Sequence, residues 1–269
     1  MSLLEVLIST ALTLALSGTI LSLVAAGQTL ARTQPESGDL QQRARIARQV
    51  LGAELRDAGA GMDRPPLAGP LTGWFPAIVP SADGGITVWR TNGGAAQATL
   101  AVAAAAQTTQ WTLADSIGCP AGEGACGFSA GATVIAFGTG GCRAALRVAS
   151  AAGSALQLDA PAGCDLDAGS AVAEGVVRTY RVDPVAAQLL RRDEATGSTV
   201  PVLDGVASLA IALFADSGAS DAVTGTSDGE LRRIRRIRLT VRLVGSNPLV
   251  RLPDLVLVVD TVPRNLQGG

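Results

Sequence analysis

Residues 1–30 read MSLLEVLISTALTLALSGTILSLVAAGQTL, and from Val6 to Leu30 none of them is charged. At about 1.5 Å per helical residue, that run is long enough to cross a hydrocarbon core of about 30 Å. The stretch therefore predicts a membrane-spanning helix over about residues 3–30. A secretory signal has a charged flank, a shorter apolar run and a small-residue cleavage site, whereas here the apolar run starts almost at residue 1 and is too long. Glu5 is the anomaly. A carboxylate at the edge of an apolar span costs about 2–3 kcal/mol even on lenient insertion scales, so it calls for a partner. The nearest candidate cation is the α-amino group of Met1, in the same chain or in an adjacent copy; simple hydration at the interface is the alternative.

Outward from the span comes ARTQPESGDLQQRARIARQVLGAELRDAGAGM, residues 31–62. Pro35 and Gly38 are expected to interrupt the helix, with Ser37 or Asp39 capping its resumption. Leu40, Ala44, Ala47, Leu51, Leu55 and Ala58 then recur at three- and four-residue spacing, with Arg43, Arg45, Arg48, Glu54 and Arg56 mostly off the stripe. This predicts an amphipathic helix over about residues 39–61, ended by Gly59 and Gly61, whose stripe packs on the chain's own globular domain, a contact with another subunit being the alternative. The Pro/Gly-rich stretch MDRPPLAGPLTG follows as a linker. Two regions result, a helical one at 1–62 and a globular one at 63–269.

From about Gly73 the pattern changes to short β-branched runs: ITVWR, TVIAFG, ALRVAS, ALQLDA, VVRTYRV, SLAIALF, RIRLTVRLV and DLVLVVDTV. Gly, Asp, Ser and Pro separate them, as in an antiparallel sheet domain. Ile237, Leu239, Val241 and Leu243 alternate with Arg236, Arg238, Thr240 and Arg242, which gives one buried and one wet face. The fold class expected is α+β, a long amino-terminal helix packed on a carboxyl-terminal antiparallel sheet. Trp74, Trp89 and Trp111 are expected as packing anchors. If continuous, a helix through residue 62 is about 90 Å long.

The segment MSLLEVLIST resembles the start of a mature type IV pilin or pseudopilin, with Met1 first and Glu5 fifth. The resemblance implies that a prepilin peptidase frees and N-methylates Met1, and that Glu5 meets the terminal amine of a neighbouring subunit, setting the register of stacked helices. Small residues Ser9, Thr10, Ala11, Ser17, Gly18 and Ser22 let such helices approach closely. Major pilins usually carry Pro at the twenty-second position, where this chain has Ser22.

RARIARQVLGAELRDAGAGM is similar to a narrower group, the PilW-type minor pilins and related GspJ-type pseudopilins, through Leu51, Leu55, Arg56, Ala58 and Gly59. RTYRVDPVAAQLLRRDEATGSTVPVLDGVASLAIALFADSG resembles the PilW-type stretch of a strand, an Arg-bearing turn and a Gly-Val-x-x-Leu strand running to an Asp-containing loop. The ending VVDTVPRNLQ, with Arg264 and Asn265, is likewise similar. Residues from about 66 to 170 carry little of the likeness and read as a variable insertion or lobe.

The resemblance implies a minor pilin that joins other minor and major pilins on an inner-membrane assembly platform, primes the pilus and stays at or near its tip. Its helix rests in membrane lipid before assembly. Its location is then the inner membrane, single pass, with a periplasmic domain, and the cell surface once in a pilus. The alternatives are a principal pilus subunit, a GspJ-type pseudopilin of a type II secretion system, and a membrane-anchored binding module unrelated to pili.

Composition weighs against enzymes. The chain's 269 residues include no His, all 21 basic residues are Arg, and the formal charge is −2. The commonest general base, the Schiff-base amine and the imidazole ligand are thus missing together. A non-enzymatic protein without cofactor or metal is expected. GFSAG at Gly127–Gly131 matches a nucleophile-elbow pattern, but with no His to activate it Ser129 reads as a turn residue. GTGG at 138–141 reads as a hairpin turn. Asp216 with Asp221, or Asp165 with Asp167, offers two carboxylates for Ca²⁺, too few for a site, and solvated loop acids are the simpler reading.

Cys119, Cys126, Cys142 and Cys164 form an even set in the region that, by the resemblance, faces an oxidising compartment. Disulfides are expected over a thiolate zinc site, since no C-x-x-C spacing occurs. Four cysteines allow three connectivities; the short Gly/Pro loop favours Cys119 with Cys126, leaving Cys142 with Cys164. Arg232, Arg233, Arg235, Arg236, Arg238 and Arg242 form the concentrated basic stretch. A grip on nucleic acid or another polyanion is one reading of it. The simpler one keeps an edge strand soluble through pairs with Asp193, Glu194 or Glu230.

Overall fold

The computed structural model describes residues 2–62, 75–81, 83–91, 96–114, 124–138, 140–215, 223, 227–247, 250 and 252–263. Met1, the linker after Met62, Trp74, Cys119, Asp216, Asp221, Arg264 and Asn265 lie outside them.

Helix α1 runs unbroken over Leu3–Arg56, 54 residues with Pro35 inside it. At about 1.5 Å per residue it is about 80 Å long. The expected break at Pro35 and Gly38 does not occur. Proline removes one N–H, and its ring faces solvent here, so the local loss is confined to an exposed surface. Asp39 pairs with Arg43 at 2.7 Å instead of capping a second helix. Long-range bonds from Glu36 and Arg43 hold the same turn against the head. The helix also ends earlier than its glycines suggest, with Asp57 as its cap. Gly59 and Gly61 belong to the turn that follows, and both have positive φ. At Gly61 a Cβ would collide with the Thr91 side chain, so only glycine fits there.

The stripe on the second half of α1 is buried at Leu40, Ala47, Leu51 and Leu55, as is Ala58 just beyond the helix. It packs on a three-stranded antiparallel sheet in the order β11 (Val206–Phe214), β12 (Arg236–Leu243), β13 (Leu255–Thr261). Ile237, Leu239, Val241 and Leu243 of β12 all turn inward, as their alternation predicts. Burial of each such aliphatic side chain contributes about 1.5–3 kcal/mol. Contrary to expectation β12 is no edge strand, because it pairs with β11 on one side and β13 on the other.

The second sheet is antiparallel and ten-stranded. Its axis is β8 (Ala171–Asp183), which pairs with β2 (Ile86–Thr91), β3 (Gln97–Thr99), β5 (Thr133–Phe137) and β9 (Gln188–Asp193) along its length. The later half of β8, with β2, β9, β1 (Ile78–Pro80) and β10 (Thr199–Asp204), shares a core with α1. The earlier half carries a separate lobe. There β5 leads to β6 (Arg143–Ala152), β7 (Ala155–Leu158) and β4 (Gln110–Thr112) around a second core that includes Trp111, Val134, Leu156 and Val172. This lobe falls within residues 66–170, the stretch expected as an insertion or lobe, but β1 and β2 of the same stretch belong to the core shared with α1. A small third cluster containing Trp89, Phe75 and Phe137 joins the two.

Every strand expected from the β-branched runs is present. Five more are not among those runs: β1, β3, β4, β9 and β10. Arg191 and Arg192 lie within β9, between a turn at residues 184–187 and another at 194–196.

Candidate functional site

The first half of α1 touches nothing. Each described residue from Leu3 to Ala31 is exposed, including Leu7, Leu14, Leu21 and Leu23. Among the described residues it is the one helix long and apolar enough to cross a membrane. Most of its hydroxyl residues bond within the helix: Thr10 donates to the Val6 carbonyl at 2.9 Å, Thr13 to that of Ser9 at 2.7 Å, Thr19 to that of Leu16 at 2.7 Å and Thr29 to that of Ala25 at 3.0 Å. A hydroxyl so satisfied carries no unpaired donor into lipid.

Glu5 has a local role in the monomer. It forms a capping box with Ser2, whose backbone N–H donates to Glu5 Oε2 at 3.3 Å while the Ser2 hydroxyl accepts from the Leu4 N–H at 3.4 Å. The carboxylate thereby sits on the positive end of the helix dipole. Its expected partner, the amine of Met1, falls outside the described residues.

Where the free half of α1 meets the head, a polar cluster fixes the junction. The Glu36 carboxylate accepts from the Ser246 hydroxyl at 2.9 Å, from the Asn247 N–H at 3.0 Å and from the Ser246 N–H. These bonds, led by the one from Asn247, hold its pKa below the usual glutamate range. Arg43, expected on the wet side of the helix, is instead buried. Its Nη1 donates to the Val244 carbonyl at 3.2 Å and the Asp204 carbonyl at 3.4 Å. Gly205, with φ of 71°, leaves the space that this guanidinium occupies. Sequence reasoning missed the pair, although its signal was present. Glu36, Leu40, Arg43, Ala47 and Leu51 share the three- and four-residue spacing of the buried stripe.

A second helix-to-sheet tie joins Glu54 to Arg178 of β8. Tyr180 is buried beside them, and burial with the Glu54 charge raises its pKa to about 12. Asp57 and Arg90 add a looser pair at 3.6 Å.

Cys142 and Cys164 form a disulfide with Cα atoms 5.8 Å apart, as expected, pinning the β5–β6 hairpin to the segment before β8. Cys126 is also disulfide-bonded, while the pairing expected with Cys119 lies outside the described residues. Gly138, Gly140 and Gly141 lie where the hairpin turn is expected, and the Gly138 N–H donates to the Cys142 carbonyl at 2.9 Å. Ser129 is exposed, in a turn where the Ala132 N–H reaches its carbonyl at 3.1 Å.

The arginines do not form one row. Arg232, Arg233 and Arg235 precede β12, with Arg232 over the Phe137 ring at 5.1 Å. Arg236 lies 4.2 Å from the Phe214 centroid. Arg236 and Arg238 share Asp260 at 3.3 and 2.7 Å, and Arg242 meets Asp254 at 3.1 Å. These partners come from β13 and the segment entering it, in place of the expected Asp193, Glu194 and Glu230; the antiparallel register sets Arg238 opposite Asp260. Asp165 Oδ1 accepts from the Ala106 N–H at 2.7 Å. Among the described residues no three His, Cys, Asp or Glu side chains gather as metal ligands.

No protein-family model matches the chain, and no curated protein or solved structure matches it either.

Proposed function

We propose that the chain is a pilin-like structural subunit, a minor pilin of PilW type, which helps prime a type IV pilus and sits at or near its tip. The observation that carries this reading is the free half of α1. It is an apolar rod whose sole charge before Arg32 is Glu5, and it is continuous with a helix locked into a sheet head. Such a rod is stored in lipid and exchanges lipid contacts for helix–helix contacts on assembly. Glu5 then trades its local cap for the amine of a neighbouring subunit. The junction at Glu36 and Arg43 supports the reading mechanically, because a force on the rod is passed to the head.

In this account the protein performs no catalysis, needs no cofactor and works with other minor and major pilins, the assembly platform and a prepilin peptidase. The head lies on the periplasmic side of the inner membrane, then at the cell surface. Deleting the gene and counting filaments tests the priming role: the expected result is a marked fall in filament number, and normal numbers overturn it. Ser22 favours this role over that of a principal subunit. The same features fit a GspJ-type pseudopilin, and deletion then abolishes secretion while leaving pili unchanged.

A further inference from the structure

A cleft of about 610 Å³ opens where β2, β8 and β9 meet the start of β6. It lies on the sheet face turned away from α1, since Ile86, Val88 and Tyr180 on the alternate positions belong to the helix-side core. Its position leaves it open whether the helix is in lipid or packed with other helices.

The pairing register builds its floor. Thr87 faces Thr179 across β2 and β8, with their hydroxyls 2.8 Å apart, and Thr179 faces Arg192 across β8 and β9. Trp89 pairs with Val177 in the adjoining row and is 7% exposed, its indole N–H buried without a hydrogen-bond partner among the described residues. Arg181 and Asp83 stand at one end and Glu194 at the other, and Arg143 of β6 also lines the cleft.

Arg181 and Arg192 are each only loosely paired with a carboxylate. Arg181 Nε is 3.9 Å from Asp83, and Arg192 Nε is 3.6 Å from Glu194. Both distances exceed the 2.7–2.9 Å typical of a direct charge-assisted bond. The two guanidiniums are 42% and 50% exposed, leaving donors for an incoming carboxylate. The mixture of signs selects against other ligands. A DNA phosphodiester backbone brings no hydroxyl donors to satisfy Asp83 and Glu194, and the polar floor gives a lipid or flat aromatic little to bury. A molecule with many hydroxyls, which both donate and accept, matches threonines and carboxylates set side by side at strand spacing. The volume falls within the range of small-molecule sites.

We propose that this cleft binds an acidic oligosaccharide, its carboxylates held by Arg181 and Arg192 and its hydroxyls shared among Asp83, Thr87, Thr179 and Glu194. The proposal does not depend on the filament reading, since it rests on the head alone. The test is calorimetric titration of the full chain in phospholipid nanodiscs with trigalacturonate, using maltotriose as the neutral control. Saturable binding of trigalacturonate is expected, with maltotriose at least about tenfold weaker. Arg181→Ala and Arg192→Ala, both at half-exposed positions, are each expected to weaken binding about tenfold with an unchanged melting temperature. The proposal is overturned by an absence of saturable binding or by equal binding in the double variant. Displacement by an equal concentration of oligo-dT also overturns it, since the cleft is then a general polyanion site.

Discussion

Glu36 and Ser246, 210 residues apart in sequence, meet through the backbone N–H and the hydroxyl of the serine. This contact is the first long-range polar bond along α1 after its free half, and it decides how the rod is carried. With Glu36 holding one loop and Arg43 reaching the carbonyls of Asp204 and Val244, the turn containing Pro35 is clamped from the head side.

The clamp is sensitive to acid. Because Glu36 titrates below an ordinary glutamate, its contribution to stability is complete above the unfolded value of about 4.3 and is lost as pH falls through the lower folded value. Glu36→Gln is expected to flatten the decline of melting temperature between about pH 5 and 3. Asp83, also held low, chiefly by the Ser81 hydroxyl, accounts for part of the remaining slope. An unchanged acid profile in the variant contradicts the clamp.

Tyr180 gives a second pH test, helped by its being the single tyrosine of the chain. Its phenol is expected to ionise at about 12, read by ultraviolet absorbance. A raised folded pKa means that its stabilising contribution is complete below about 10 and lost as pH rises toward the folded value. Glu54→Gln lowers the apparent pKa and, by leaving Arg178 without its anion in a mostly buried setting, costs about 2 kcal/mol in denaturant unfolding.

The disulfide between Cys142 and Cys164 lies in the second lobe, apart from the core shared with α1. Replacing both cysteines by serine is expected to destabilise that lobe by about 3 kcal/mol. Hydrogen exchange is the discriminating readout: amides around Trp111, Val134 and Leu156 lose protection while those of Leu51 and Leu239 keep it. Uniform loss contradicts two separable cores.

The arginines around β12 are engaged with Asp260, Asp254 and the Phe214 ring. Filter binding at physiological salt is expected to show no retained duplex DNA, and Arg238→Ala costs less than about 1 kcal/mol. Retention that falls steeply with added salt gives the polyanion reading priority.

Much of this architecture is legible in the chain. The free span, the buried stripe at Leu40, Ala47, Leu51 and Leu55, and the alternation through β12 each repeat long enough to declare a period. The strands that escape notice have physical reasons. β3 and β4 are three residues each, too short to show alternation. β9 carries Arg191, Arg192 and Asp193, and β10 contains Pro201, tolerated because β10 is an edge strand pairing with β9 alone. Glu36 and Arg43 were hidden by their charge. Polar residues on an apolar stripe read as wet until the loop that satisfies them is brought near from two hundred residues away. The cleft depends on register between distant strands and has no local signature.

The most direct test of the filament account is Glu5→Ala in the native host, followed through membrane fractionation and filament preparation. The account predicts normal insertion of the variant and its absence, or near absence, from sheared filaments and from complexes with other pilins. Incorporation at the wild-type level, with the carboxylate gone, contradicts it.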